Sequence, residues 1–121
     1  MFDHVLIPLD GSSLAEQVLP YGQQIAEVCG ARIELIGAVE RGDLPEDAVA
    51  EVEKERCGYL KRIAESLPEK YKPSWLCQRG RPADVIVDHA GGDPATLIAM
   101  ATHGYSGIQR WALGSVAHKV V

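Results

Sequence analysis

The chain has 121 residues, about one domain's worth, with 46% hydrophobic and 24% charged residues, a composition that excludes disordered, collagen-like and disulfide-scaffold classes. A formal net charge of −5 without any long run of Lys or Arg excludes broad electrostatic binding to nucleic acid or to an anionic membrane, so an anionic ligand would need a local site. The three cysteines, Cys29, Cys57 and Cys77, include no Cys-x-x-Cys pair, and they read as reduced, mostly buried thiols of a cytoplasmic protein rather than as disulfides or zinc ligands.

The first element is the apolar run Val5-Leu6-Ile7-Pro8-Leu9, a central strand buried on both faces, with Pro8 at its end because proline cannot continue the hydrogen-bond ladder. The turn Asp10-Gly11-Ser12-Ser13 follows, and Ser13 with Glu16 has capping-box spacing for a helix. Leu14, Val18, Ile25 and Val28 carry that helix, Pro20 kinks it, and Gly30 stops it. Residues 33–39 form a second strand. After a loop in which Asp43 can cap and Pro45 can open a helix, residues 46–67 form the longest helix. Its stripe is Val49, Val52, Arg56, Leu60, Ile63 and Leu67, with Arg56 the polar exception, and its other face is solvated charge. Residues 74–78 form a third strand, and Trp75 there is expected to pack. Gly80-Arg81-Pro82 turns into a short helix through Val85, Ile86 and Ala90, and residues 96–101 form a fourth buried strand. A loop of small residues then leads to Gly114-Ser115 and a last helix over 116–121. His4, His89 and His118 are scattered and expected to be exposed. No internal repeat or linker divides the sequence, so residues 1–121 are read as a single domain. No apolar run approaches the ~20 residues that span a bilayer, and Met1-Phe2-Asp3-His4 lacks the features of a signal peptide.

Strand and helix alternate four times, which predicts an α/β doubly wound parallel sheet with functional loops at the carboxyl ends of the strands. The stretch 101–115 is the most informative. Glycines without a Cβ allow close approach of a phosphate, free amides at a helix start donate to it, Ser115 adds a hydroxyl, and Arg110 adds charge. The plain alternative stays open on these residues alone: Gly104 and Gly107 make turns, and Gly114-Ser115 caps a helix. There is no Walker A loop and no dinucleotide fingerprint. No second ligand accompanies His103 at metal spacing, which leaves it a hydrogen-bonding role, and no Ser-His-Asp set is present.

Ala101-x-x-Gly104, nine residues, then Gly114-Ser115 resembles the nucleotide-binding signature of universal stress proteins. Val5-Leu6-Ile7-Pro8-Leu9-Asp10-Gly11-Ser12, Gly80-Arg81-Pro82-Ala83-Asp84-Val85-Ile86 and Thr102-His103-Gly104-Tyr105-Ser106-Gly107 resemble other parts of the family pattern, so the resemblance spans essentially the whole sequence. It implies an adenine nucleotide alpha hydrolase-like three-layer sandwich with strand order 3-2-1-4-5, here with the fifth strand missing, so that the domain is C-terminally short. It also implies an adenine nucleotide-binding site. Pro8, Leu9 and Asp10 would face the ribose and adenine, and the Val39 backbone would read the adenine edge. Met100, Ala101, His103, Gly104 and Gly107 would line the ribose and phosphate approach. Gly114, Ser115 and Val116 would cradle the phosphates of ATP, with Mg or Mn carried on the phosphate oxygens and no metal ligand supplied by the protein. The implied activity is stress-response regulation with weak or no ATP hydrolysis, since no residue set positions an attacking water. The implied partners are a second copy in a dimer, or another protein that covers the exposed fourth-strand edge. Two departures support an alternative, a scaffold of the same fold that binds no nucleotide: Ala101 stands where the signature has glycine, and the last strand is absent.

Overall fold

β1 (His4–Pro8), β2 (Arg32–Val39), β3 (Ser74–Arg79) and β4 (Thr96–His103) run parallel in the order 3-2-1-4, as the alternation of strands and helices predicts. The computed structural model describes residues 2–103 and 109–114. Period-two alternation sorts the central strands onto two cores. Val5, Ile7, Ile33 and Leu35 point to one face, where Ala26 of α2 (Leu19–Cys29) and Leu60 and Ala64 of α3 (Glu46–Ser66) close over them. Leu6, Ile36 and Ile98 point to the other face and meet Val85, Ile86 and Ala90 of α4 (Pro82–Ala90). Val5, Leu6, Ile7, Ile33, Leu35 and Ile98 are fully buried, so the sheet is a dry layer between two helical ones. Burial of each such residue contributes roughly 1.5–3 kcal/mol.

The local signals hold with small displacements. The helix cap is Ser12, one residue before the expected Ser13, and its hydroxyl accepts from the Ala15 amide at 3.2 Å. Pro20 does more than kink the following helix. A short α1 (Ser13–Glu16) ends, and α2 restarts with Pro20 in its first turn, where a missing amide hydrogen is harmless. Pro45 itself is the cap position of α3, without a side-chain cap from Asp43. Val28, expected on the buried stripe of α2, is 79% exposed, and Trp75 is 38% exposed rather than packed. The three cysteines are free and half-buried. Burial, together with the neighbouring Cys57 thiol, pushes Cys77 up to about 12, which keeps it protonated and unreactive.

The largest correction concerns the fourth-strand edge. The sequence suggests a loop over 101–115 and a bare edge awaiting a partner. Instead, β5 (Gln109–Gly114) folds back antiparallel on β4, pairing His103 with Gln109 and Ile98 with Gly114. The driving force is the cost of a bare edge: unpaired strand amides and carbonyls need partners, and a hairpin supplies them from the adjoining segment. Another protein is therefore not needed to cover β4. The described strands contain no parallel fifth strand, and the helix expected over 116–121 lies outside the described residues.

Candidate nucleotide site

β1 stops early, and this creates the site. Pro8 is opposite Ile36 of β2, and Leu6 is opposite Ile98 of β4. Both neighbours continue past β1, to Val39 and His103. Pro8 cannot donate to a ladder, and after one last bond from the Leu9 amide to the Ile36 carbonyl (2.9 Å) the backbone turns away at Gly11 with φ +89°. A notch is left between β2 and β4 at the carboxyl end of the sheet. It lies at the point where the strand order reverses, between β1 and β4, the usual ligand crevice of such sheets.

The notch is a cavity of about 290 Å³, near the lower end of the ~300–1,000 Å³ typical of small-molecule sites. Pro8, Leu9 and Asp10 form its floor, Gly37 and Ala38 one wall, Met100 and Ala101 the opposite wall, and Pro82, Val85 and Ile86 of α4 a third side. Most of the lining is apolar, with Asp10 and Arg56 supplying charge. The Asp10 carboxylate accepts from the Ser12 amide at 2.9 Å. Partial burial pushes its pKa up, but the hydrogen bonds from Ser12 more than offset this and hold it below the usual carboxylate value. It is an anion at neutral pH.

Five of the sequence-selected residues therefore share one cavity: Pro8, Leu9, Asp10, Met100 and Ala101. Val39 is not among the residues that line it. Its side chain is buried, and its carbonyl accepts from the Gly80 amide at 3.0 Å on the β3 side. The backbone carbonyl tied to the cavity wall is that of Ala38, which accepts from Arg56 Nη1 at 3.1 Å. His103 ends β4, opposite Gln109. Gly114, expected at the mouth among the phosphate donors, instead pairs with Ile98 on the outer side of β4, level with Leu6 and behind the cavity floor. Residues drawn into an edge ladder cannot simultaneously form a loop over the mouth. Gly104, Gly107, Ser115 and Val116 lie outside the described residues. Among the described residues no group of three or more His, Cys, Asp or Glu could hold a metal ion, and no helix is long and apolar enough to cross a membrane.

The universal stress protein family model matches residues 1–121. The chain belongs to the universal stress protein family. A universal stress protein of Thermus aquaticus is 32% identical over 126 residues, covering 100% of this chain and 92% of the relative. Among solved structures, the hypothetical protein MJ0577 superposes with a TM-score of 0.68 at 21% identity, covering 99% of this chain and 88% of the other. A universal stress protein in complex with cAMP superposes at 0.53 and 21% identity, covering 74% and 69%. At these identities the two structures establish the shared fold.

Sequence reading missed Arg56 as a site residue, although it flagged the residue as the charged member of an otherwise apolar stripe. It also missed a cluster at the other end of the sheet. His4 of β1 and His89 of α4 converge on Glu34 of β2, with Nε2 atoms 3.0 and 2.7 Å from the same Oε1. His89 is exposed, as expected, whereas His4 is half-buried, and both are engaged by Glu34. The His89 contact is a hydrogen bond, whereas His4 Nε2 approaches off the hydrogen-bond line. Contact with His4, opposed by burial and reinforced by His89, holds the Glu34 carboxyl down at about 2. No sequence spacing reveals this cluster, because its members lie on three separate elements.

Proposed function

We propose that this universal stress protein binds an adenine nucleotide in the notch beyond β1 and acts as a nucleotide-responsive regulatory protein with weak or no hydrolysis. The observation that carries the reading is the meeting of Pro8, Leu9 and Asp10 with Met100 and Ala101 around one mostly apolar cavity at the switch point of the sheet. A flat base suits the apolar walls, and the Asp10 carboxylate is an acceptor suited to ribose hydroxyls. The family relative described in complex with cAMP adds support from its own ligand. ATP with Mg or Mn is the proposed physiological form, the ion being held by phosphate oxygens. Gly104, Gly107, Ser115 and Val116 keep their proposed phosphate role on the strength of the signature alone. Self-association as a dimer is part of the same proposal and is read by sedimentation.

The nucleotide-free scaffold reading leaned on Ala101 and on the absence of the last strand. β5 occupies the outer edge of β4, and Ala101 lines the cavity with a single methyl. The deciding experiment is calorimetric titration with ATP, with and without Mg²⁺. Binding is expected, and Asp10→Asn is expected to weaken it about tenfold, about 1.4 kcal/mol, with little change in melting temperature. Absence of binding at millimolar nucleotide would return the protein to the scaffold reading.

A further inference from the structure

β3 is an outermost strand of the sheet, and among the described residues no strand pairs with its far side. The Gly80 amide donates to the Val39 carbonyl at 3.0 Å. Alternate residues of a strand turn their backbone groups to the same side, so the even-numbered residues of β3 bond to β2, and the amides and carbonyls of Trp75, Cys77 and Arg79 point outward. Open edges are usually blunted by proline, lysine, a bulge or a charge. β3 holds neither proline nor lysine, and its register with β2 runs unbroken from Ser74 to Arg79. Its one charge, Arg79, is turned back onto α3, with Nη1 2.8 Å from Glu46 and Nη2 3.1 Å from Glu53. Trp75 is exposed beside it.

The helix above this edge carries a matching pattern. Glu46 and Glu53 lie at the Arg79 end of β3, whereas Lys61 and Ala64 border one groove with Trp75 at its other end. Cys57 neighbours Cys77 midway. Opposites are thus placed symmetrically: Trp75 and Arg79 are two residues either side of Cys77, and Glu53 and Lys61 are four either side of Cys57. A surface of that kind fits its own copy. We propose that β3 pairs antiparallel with β3 of a second copy about a two-fold axis at Cys77, joining two sheets into one. Cys77 then exchanges both backbone hydrogen bonds with its own equivalent, and Trp75 does so with the second copy's Arg79. The indole lies against that guanidinium, which its own carboxylates hold in place. Lys61, beside Trp75, meets the second copy's Glu53, and the contact occurs twice. Lys54, adjacent to Glu53, is exposed, so water screens its charge. Strands lie about 4.8 Å apart. Helices seated over β2 and β3, as α3 is, therefore stand about 10 Å from each other across the axis, at helix-packing distance. The small residues Ala50, Cys57 and Ala64, seven apart on that side of α3, admit such an approach. This inference rests on the self-association in the reading above and gives it a surface; it does not depend on nucleotide.

The test is sedimentation equilibrium of the full chain. Wild-type protein is expected to form a dimer that weakens as ionic strength rises from about 0.05 to about 0.5 M. Lys61→Glu and Glu53→Lys each set like charges at both contacts, and each is expected to raise the dissociation constant at least about tenfold. An equimolar mixture of these two variants restores opposite charges at both contacts and is expected to associate within about threefold of wild type. A merely structural role of either residue would give no such rescue. Trp75→Lys is expected to weaken the dimer about tenfold and Trp75→Phe to keep most of its affinity. Position 75 is exposed, so these variants report even if Glu53→Lys folds poorly. Dimers that persist unchanged in Lys61→Glu and Trp75→Lys, or a mixture no tighter than its separate components, would overturn the β3 interface while leaving self-association to another surface. Wild-type protein that stays monomeric at millimolar concentration overturns self-association and this interface together.

Discussion

The two ends of the parallel sheet hold polar and ionisable side chains in opposite arrangements. At the amino end, Glu34 is enclosed by His4 and His89, its contacts are short, and α4 is tied to the sheet through them. Nearby, Thr96 is buried and its hydroxyl donates to Asp93 at 3.2 Å. At the carboxyl end, Asp10 and Arg56 are close enough to influence each other, yet each is bonded to the backbone and both face open cavities. Polar side chains that close on one another hold elements together. Charges that leave donors and acceptors turned toward a cavity are equipped for a ligand. The same helix serves both ends: the first turns of α4 line the notch, and its last turn carries His89.

The comparison can be broken most forcefully by filling the notch. Ala38→Phe projects a ring into the cavity and is expected to weaken ADP binding about a hundredfold, about 3 kcal/mol, read by calorimetry, while the amino-end contacts persist. A normal affinity in that variant would place the ligand elsewhere. Next in size is Glu34→Gln, which should act on stability and leave nucleotide affinity unchanged. Because the folded-state pKa of Glu34 is held at about 2, below its ordinary value of 4.5, its contribution is present above pH 4.5 and is lost as pH falls toward 2. Unfolding free energies from urea titration should therefore differ by about 1–2 kcal/mol at about pH 7, and the two proteins should converge in the acid limb. A gap that persisted at pH 2 would show that the carboxylate charge is not the cause. Thr96→Val gives the smallest effect, an expected loss of about 1 kcal/mol of stability without change in adenosine affinity. A change in binding would mean that the two ends are coupled through α4.

Much of this protein is legible in its residues. Apolar runs at 5–9, 33–39 and 96–101 specify buried strands because only a sheet covered on both faces tolerates them, and their alternation with helices specifies the parallel order. Pro8, Asp10, Met100 and Ala101 are nominated for one site by the resemblance to universal stress proteins, in keeping with the convergence of strand ends in such a sheet. Tertiary structure decided what depends on lengths and neighbours. How far β2 and β4 outrun β1 makes the notch. Gly37 beneath α3 turns a stripe arginine into a cavity arginine. The Glu34 cluster is assembled from three elements distant in sequence. Whether residues 109–114 become loop or strand was settled by the unpaired edge of β4, since a backbone group's need for a hydrogen-bond partner is a property of its surroundings and not of its own side chain.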